Sequence, residues 1–200
     1  MIGNDVVDLK AAAVQSNWRR KGFLEKIFSA EEQELISSAP EPHQMVWLLW
    51  SMKEAAYKAH QREFLLPRKL NWRDYNCRIT ETSETAASGV VEIKKNSYFT
   101  ASEINQDFVY TSAAKDHISA VKNDIFETSS EEMKRELLGL ISEELKLPKK
   151  AFRIQKNTQG VPTITYLGGI ITNLISFSGH GRFAAYSLSL MNCEMAVKHY

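Results

Sequence analysis

Two long amphipathic segments, each followed by short strand-like segments, constrain the fold of this chain most strongly. The first begins at Pro42, which suits the first position of a helix, and extends to about Arg62. The second extends from Glu131 to about Leu147 and is stopped by Pro148. Apolar residues recur at helical spacing in both segments. Because strands are expected before and after the second helix, the pattern predicts an α+β fold.

The strand-like segments form two groups. Residues 2–9 are largely β-branched or apolar, and they predict a strand with a kink at Gly3-Asn4-Asp5. Residues 73–122 predict a meander of strands with a turn at Lys95-Asn96. The change of pattern near residue 127 predicts a division into residues 1–127 and 128–200. Further strands are expected at residues 152–155, 162–166, 174–177 and 183–191.

Charge and composition narrow the class of partner. The net charge is +1, from 25 basic and 24 acidic residues, so no overall basic field attracts nucleic acid or an anionic membrane. No apolar run approaches the roughly 18 residues that a membrane span needs, and residues 1–5 do not begin a signal peptide. Cys77 and Cys193 lack closely spaced cysteine or histidine partners, which predicts free thiols in a reducing compartment. These features predict a cytoplasmic protein that binds neither nucleic acid nor a membrane.

Glu54 and Lys58 in the first long helix form the first candidate site. They are four residues apart, so their side chains project from one face, whereas Lys53 is displaced by about 100° from Glu54. One interpretation is a solvated ion pair that stabilises the helix by a few tenths of a kcal/mol. The other is that Glu54 binds a hard cation while Lys58 binds a phosphate. One rigid helix would then hold a single pyrophosphate.

Three further carboxylates are candidates. Asp5 stands among apolar residues and needs a partner, because an unpaired buried charge is costly. It either caps a helix or pairs with an arginine, or it binds Mg²⁺, which favours one or two protein carboxylates together with phosphates and water. Asp8 is a second candidate for the same role. Glu32 either completes a capping box with Ser29 or takes part in catalysis.

The segment from Ser176 to Phe183 joins two predicted strands. A glycine-flanked histidine in a tight turn, as at His180, is usually an exposed turn residue. The alternative is an anion-binding segment that offers backbone N–H groups, the Ser178 hydroxyl, the His180 imidazole and the Arg182 guanidinium.

In this order, the motifs resemble those of the 4'-phosphopantetheinyl transferase superfamily. Gly3-Asn4-Asp5 matches the G-x-D strand motif, and Phe28-Ser29-Ala30-Glu31-Glu32 matches the F-S-x-x-E helix start. Residues 50–58, Trp-Ser-Met-Lys-Glu-Ala-Ala-Tyr-Lys, match the W-x-x-K-E-A/S-x-x-K helix. Ser178-Gly179-His180 resembles the S-H-S turn. The helix motif, at the expected distance after F-S-x-x-E, is the specific part of the resemblance.

The resemblance implies two similar α+β halves that pack as an intramolecular pseudo-dimer, each with a long helix against an antiparallel sheet. This is the arrangement of the long, surfactin-synthetase-activating type. Here the S-H-S-like turn follows the G-x-D motif instead of preceding it, which implies that the halves are permuted. Residues 1–127 would carry the metal and catalytic motifs, and residues 128–200 would carry a coenzyme A-binding turn. A monomer with one site between its halves is expected.

The resemblance also implies an activity. The enzyme would transfer the 4'-phosphopantetheine group from coenzyme A to a serine of an apo acyl or peptidyl carrier protein, and release 3',5'-adenosine bisphosphate. Asp5 and Glu54 would hold Mg²⁺, and Lys58 would bind the pyrophosphate and neutralise developing charge. Glu54, or a water that it orients, would accept the serine proton.

The implied contacts to coenzyme A include residues that depart from the family pattern. Val161 stands where the G-K-P motif has lysine, and Gly179 stands at the S-H-S histidine position. Val7 replaces the second carboxylate of the long type. The alternative is therefore a catalytically inactive relative that binds coenzyme A or a carrier protein. The expected coenzyme A-binding residues are Lys58, Gly160, Pro162, Ser178, His180 and Arg182.

Overall fold

A computed structural model describes residues 1–69, 71–115 and 121–189. In its first half, five strands form one antiparallel sheet in the order β1-β5-β4-β3-β2. Strand β1 therefore lies at an edge of this sheet, next to β5. The strands are β1 (Ile2–Asp8), β2 (Tyr75–Thr82), β3 (Ala86–Ile93), β4 (Asn96–Ile104) and β5 (Phe108–Ala114).

Four α-helices in the described residues accompany this sheet, and the longest packs across it. Helix α4 (Pro42–Glu63) has Pro42 in its first turn and buries residues such as Leu49, Met52 and Ala56 in the main core. Apolar residues of the sheet, including Val91, complete that core. The shorter helices are α1 (Leu9–Gln15), α2 (Phe23–Ile27) and α3 (Ala30–Ser38).

The described residues from 121 to 189 contain one long helix and two small antiparallel sheets. Helix α5 (Ser130–Leu145) begins at the capping residue Ser129 and buries Met133, Leu137 and Ile141. One sheet has the order β10-β11-β6 and the other β7-β8-β9. The strands are β6 (Lys122–Phe126), β7 (Phe152–Lys156), β8 (Pro162–Tyr166), β9 (Gly169–Thr172), β10 (Ile175–His180) and β11 (Phe183–Leu188).

The predicted α+β class and both long helices are confirmed. Strand β1 continues through Gly3-Asn4-Asp5, so the predicted kink there is wrong. Ile93 pairs with Asn96, so the turn between β3 and β4 is Lys94-Lys95, one residue before the predicted turn. The predicted strand 183–191 ends at Leu188, and its residues 190 and 191 lie outside the described residues. Helices α1 and α2 were not predicted, because they are too short for a clear apolar period.

The five-stranded sheet meets the sheet β10-β11-β6 where strand β1 lies beside strand β10. The Asn4 N–H donates to Oγ of Ser176 at 3.0 Å, and the Asp8 N–H donates to Nδ1 of His180 at 3.0 Å. A small buried cluster around Val6 continues this contact. Strand β1 is thus bonded to β5 on one side and to side chains of β10 on the other.

The division of the chain at residue 127 stays a prediction, as does a two-fold relation between the halves. Strand β6 lies before that position, yet it pairs with β11 in the sheet of the second half. In the described part of the chain, no helix is both long and apolar enough to cross a membrane.

Glu32 holds helices α3 and α4 together in the core. Its carboxylate completes the predicted capping box with Ser29. The same carboxylate lies 2.7 Å from Nζ of Lys53, and both side chains are 1% exposed. It also accepts the backbone N–H of Cys77 at 2.7 Å, so both carboxylate oxygens are occupied by structural bonds. The structural interpretation of Glu32 is therefore the one that its contacts support.

Replacement of Glu32 by alanine should lower the free energy of unfolding by about 3–5 kcal/mol, because it leaves the Lys53 ammonium buried without its anion. Glu34→Ala is the matched control on the exposed face of α3, and it should change stability by less than about 0.5 kcal/mol. Urea denaturation followed by circular dichroism measures both variants. Equal stability of the two variants would contradict the assignment.

Candidate functional site

Strand β1 lies so close to helix α4 that only glycine fits at position 3. A Cβ atom on Gly3 would lie 2.0 Å from the carbonyl oxygen of Ala55 and 2.7 Å from the backbone nitrogen of Ala59. Both alanines are fully buried. Alternate residues of a strand share a face, so Asp5 points towards the helix that Gly3 contacts. The G-x-D motif therefore has a structural basis. The glycine allows the strand to lie against helix α4, and the aspartate then contacts Lys58 of that helix.

Basic side chains of α4 bond to backbone carbonyls along β1. Nζ of Lys58 donates to the carbonyl oxygen of Asn4 at 2.7 Å. Nη1 of Arg62 donates to the carbonyl oxygen of Ile2 at 2.6 Å. One helical turn separates the two donors, and two residues of extended strand separate the two acceptors. These bonds fix the register of the strand against the helix.

Asp5, Glu54 and Lys58 form one charged group in this contact. Nζ of Lys58 lies 3.2 Å from Oδ1 of Asp5, and their side chains are 22% and 13% exposed. Burial raises the pKa of Asp5, against the lowering effect of the Lys58 charge and its hydrogen bond. Burial raises the pKa of Glu54 to about 7, and repulsion by the Asp5 carboxylate adds to the rise. The structure thus brings the three predicted catalytic residues together.

The two carboxylates fit a hard divalent cation. Both carboxylates are partly buried, and their negative charges repel one another. The single positive charge of Lys58 offsets this repulsion only in part, so a bound cation would stabilise both carboxylates. Mg²⁺ is commonly held by one or two carboxylates together with water and substrate phosphates. Residues 1–69, 71–115 and 121–189 contain no cluster of three or more ligating side chains, so a closed zinc-type site is not formed within them. Asp5 and Glu54 are therefore the side chains that would hold the ion.

Asp8 lies outside this group, at the far end of β1. One carboxylate oxygen caps α1 by accepting the backbone N–H groups of Lys10 and Ala11. The other accepts Nε of Arg182 at 2.9 Å, and the Asp8 side chain is 1% exposed. Hydrogen bonds from Arg182 hold the pKa of Asp8 well below its usual range. Asp8 thus caps a helix and pairs with an arginine, which are structural roles.

The guanidinium of Arg182 pairs with three carboxylates of the protein. Besides Asp8, it contacts Asp107 at 3.2 Å and Glu127 at 3.4 Å. The three carboxylates beside it would repel an additional anion. We therefore do not include Arg182 in the proposed substrate site.

His180 is the last residue of β10, and the tight turn that follows it is Gly181-Arg182. Its Nδ1 accepts the N–H of Asp8, so the ring proton lies on Nε2, which donates to Oε1 of Gln15 at 3.1 Å. Ser178 lies between the contacts made by Ser176 and His180. Its hydroxyl is buried and has no hydrogen-bond partner among the residues that the structure describes. Substrate contacts by Ser178 and His180 remain predictions.

A cavity of about 290 Å³ opens beside Lys58, at the end of β1 opposite to Asp8. Gly160 and Pro162, which were predicted to contact a substrate, line it. The sequence reasoning missed three of its basic residues. Of these three, only Arg62 could have been found from the sequence, because it follows Lys58 by four residues on the same helical face. The basic lining residues are Lys58, Arg62, Arg68 and Lys156.

Comparison with known proteins gives one family and a weak structural match. The sequence model of the 4'-phosphopantetheinyl transferase superfamily matches residues 1–120. A search of curated proteins found no match. The crystal structure of Helicobacter pylori holo-[acyl-carrier-protein] synthase (AcpS) in complex with coenzyme A covers 58% of this chain and 100% of its own, with 18% identity and a TM-score of 0.44. A structural similarity of this degree supports no conclusion about individual residues.

Substitution of Gly3 by alanine should separate β1 from α4, because the added methyl group has no room against the Ala55 carbonyl. We expect the free energy of unfolding to fall by about 1–3 kcal/mol. Gly139→Ala is the control: this position in α5 has only a flexible lysine side chain nearby, so the change should be neutral or stabilising by up to about 1 kcal/mol. Chemical denaturation measures both. Unchanged stability of Gly3→Ala would show that the close contact is not formed.

Proposed function

Because this chain belongs to the 4'-phosphopantetheinyl transferase superfamily, we propose that it transfers the 4'-phosphopantetheine group of coenzyme A to a serine of an apo acyl or peptidyl carrier protein. The observation that carries the proposal is the group formed by Asp5, Glu54 and Lys58. It joins the G-x-D strand to the K-E-A-x-x-K helix. Together these two motifs contain a lysine that would bind a pyrophosphate and two carboxylates that would hold its cation. Both motifs lie within the part of the chain that the family model matches.

The reaction exchanges one phosphate ester for another. Oγ of the carrier serine attacks the phosphorus that bears the pantetheine, and the bond between this phosphorus and the bridging oxygen breaks. The bridging oxygen takes the electron pair and leaves as part of 3',5'-adenosine bisphosphate. Such transfers depend on positioning and charge neutralisation rather than on covalent catalysis by the protein.

The residues of the site have separate roles in this step. The Lys58 ammonium, fixed by Asn4 and Asp5, neutralises charge that develops on the pyrophosphate. Glu54, or a water that it orients, accepts the proton of the serine. Asp5 and Glu54 would hold Mg²⁺, which supplies positive charge to the phosphate oxygens when bound. Glu32 has no part in the step, because its oxygens bond to Ser29, Lys53 and Cys77.

The cavity beside Lys58 is the proposed location of the nucleotide end of coenzyme A. Lys58 lines the cavity and also contacts Asp5, so a pyrophosphate at Lys58 lies at the cavity entrance. Val161 and Pro162, together with Phe177, provide apolar surface in the cavity. The charged part of coenzyme A is its nucleotide end, which matches the basic lining better than the uncharged pantetheine does.

A cytoplasmic location without nucleic-acid or membrane partners remains a prediction from composition.

Activity should require a divalent cation and should fall at least about a hundredfold in Asp5→Asn and in Glu54→Gln, because each removes one of only two carboxylates. Intact-mass spectrometry of an added apo carrier, with Mg²⁺ or with EDTA, measures the transfer. A second readout is coenzyme A binding by calorimetry, which should be enhanced by Mg²⁺ in the wild type and not in the variants.

Glu136→Gln is the matched control, since Glu136 is exposed on α5. It should retain wild-type transfer and wild-type dependence on Mg²⁺. Full activity in EDTA, or near-normal transfer by Asp5→Asn, would contradict the metal assignment. Mg²⁺-dependent binding of coenzyme A without mass gain on a panel of apo carriers would instead identify an inactive relative.

We also expect a monomer with one active site. The charged group on α4 and the cavity residues Gly160 and Pro162 come from different halves of one chain. Docking within a chain has a high effective concentration and outcompetes association between chains. Multi-angle light scattering measures the mass in solution. An obligate trimer that dissociates only with loss of activity would contradict the proposed pseudo-dimer.

A further inference from the structure

Strand β1 is an edge strand, and side chains rather than another strand bond to its outer edge. It pairs with β5 on one side, so alternate residues, Asn4, Val6 and Asp8, direct their N–H groups to the other side. Ser176 accepts the first of these N–H groups and His180 the last, each at 3.0 Å. Both the acceptors and their donors are four residues apart, so β1 and β10 run parallel. Within the described residues, no backbone ladder joins the two strands.

Ser176 makes its bond from a fully buried position. Its hydroxyl faces β1, whereas the next residue, Phe177, lines the cavity beside Lys58. Alternate residues of a strand face opposite sides, which separates these two environments. Ser176 is not among the described residues that line the cavity. Its influence on a substrate there must therefore pass through strand β1.

The backbone of Asn4 carries that influence to the candidate site. Its N–H donates to Ser176, and its carbonyl oxygen accepts Nζ of Lys58 at 2.7 Å. This carbonyl belongs to the peptide group that joins Asn4 to Asp5. Because a peptide group is planar, a fixed carbonyl also fixes the backbone nitrogen of Asp5 and restricts the direction of its side chain. Nζ of Lys58 lies 3.2 Å from Oδ1 of Asp5, so one ammonium contacts both the strand and the carboxylate.

We propose that Ser176 is a positioning residue, which holds Asp5 in place for the cation through the bond to Asn4. This role rests on the proposed function. Asp5 would be one of only two carboxylates on the cation, so a small displacement of the strand would alter the metal site directly. Loss of a group that orients a metal ligand typically lowers metal affinity or activity by about 10–100-fold. Strand β10 would thus contribute to the metal site without supplying a ligand.

A purely structural role for Ser176 predicts a different outcome. Its cross-strand partner Ser187 has an equally buried hydroxyl, which bonds to Tyr110 and Asn123 instead of to β1. Removal of either hydroxyl leaves a buried polar group without its bond and should lower the Tm by about 2–6 °C. Only removal of the Ser176 hydroxyl releases Asn4. Ser187→Ala is therefore a matched control that separates loss of stability from loss of metal binding.

The experiment measures Mn²⁺ binding by electron paramagnetic resonance, in the presence of coenzyme A, for the wild type and both variants. Mn²⁺ replaces Mg²⁺ as the probe because both ions prefer oxygen ligands. Ser176→Ala should weaken Mn²⁺ binding by about tenfold or more, and Ser187→Ala by less than about twofold. In transfer to an apo carrier at saturating Mg²⁺, Ser176→Ala should lower kcat by about tenfold and leave the KM for coenzyme A within about threefold.

Hydrogen exchange of the Asn4 amide tests the bond itself. The amide should exchange slowly in the wild type and in Ser187→Ala, because Ser176 accepts its hydrogen in both. In Ser176→Ala it should exchange at least about tenfold faster, because the acceptor is gone. An amide that exchanges equally slowly in Ser176→Ala would contradict the proposed connection.

Unchanged Mn²⁺ affinity in Ser176→Ala would overturn the proposal, as would equal weakening by Ser187→Ala or a wild type that binds no Mn²⁺. If Ser176→Ala does not fold, Ser176→Cys decides, because sulfur accepts a hydrogen bond only weakly. Wild-type Mn²⁺ affinity in that variant overturns the role, and weakened affinity supports it.

The transferase proposal is tested separately, by mass gain of a carrier. Mn²⁺ binding that depends on Ser176, without any mass gain by the wild type, would reject the activity and keep the positioning role at the metal site. Transfer by the wild type, with a Mn²⁺ affinity that does not depend on Ser176, would reject the positioning role alone.

Discussion

The contact between β1 and α4, made possible by the missing side chain of Gly3, is the constraint on which the rest of the structure depends. With the strand backbone against Ala55 and Ala59, Lys58 and Arg62 reach its carbonyl oxygens. The same approach places Asp5 beside Lys58 and close enough to Glu54 for the two carboxylates to repel. A wider spacing would leave the carboxylates in water, where burial would not raise their pKa values.

Strand β1 also joins the five-stranded sheet to the sheet that contains β10. Its N–H groups at Asn4 and Asp8 bond to side chains of β10, while its carboxylate at Asp8 bonds to Arg182. A structural and a candidate functional carboxylate therefore occur in one strand of seven residues, with Asp5 at its centre and Asp8 at its end, on opposite faces. Asp8, whose oxygens accept several hydrogen bonds, contributes to the joint between halves. Asp5 has one lysine and a nearby acid, and it retains capacity for a ligand.

The charges of the two lysines on α4 show how the surroundings decide function. Lys53 is buried, and its ammonium forms an ion pair with Glu32, which also belongs to the capping box of α3. Lys58 lies five residues later on another face and is shared between a carbonyl oxygen and Asp5 at the edge of a cavity. The first lysine completes a core. The second lines a cavity, where we propose that it binds a substrate.

The sequence by itself determined the two long helices, the α+β class and the family, because apolar spacing and short motifs are local properties of the chain. It also placed Glu54 and Lys58 on one helical face by their spacing, and the family resemblance implied that Asp5 joins them. Only the tertiary structure shows that Asp8 forms an ion pair with Arg182 and that Glu32 forms a buried ion pair with Lys53. It alone brought Arg62, Arg68 and Lys156 to one cavity. Such contacts join residues far apart in the chain, and their pairing depends on how strands and helices pack rather than on any local pattern.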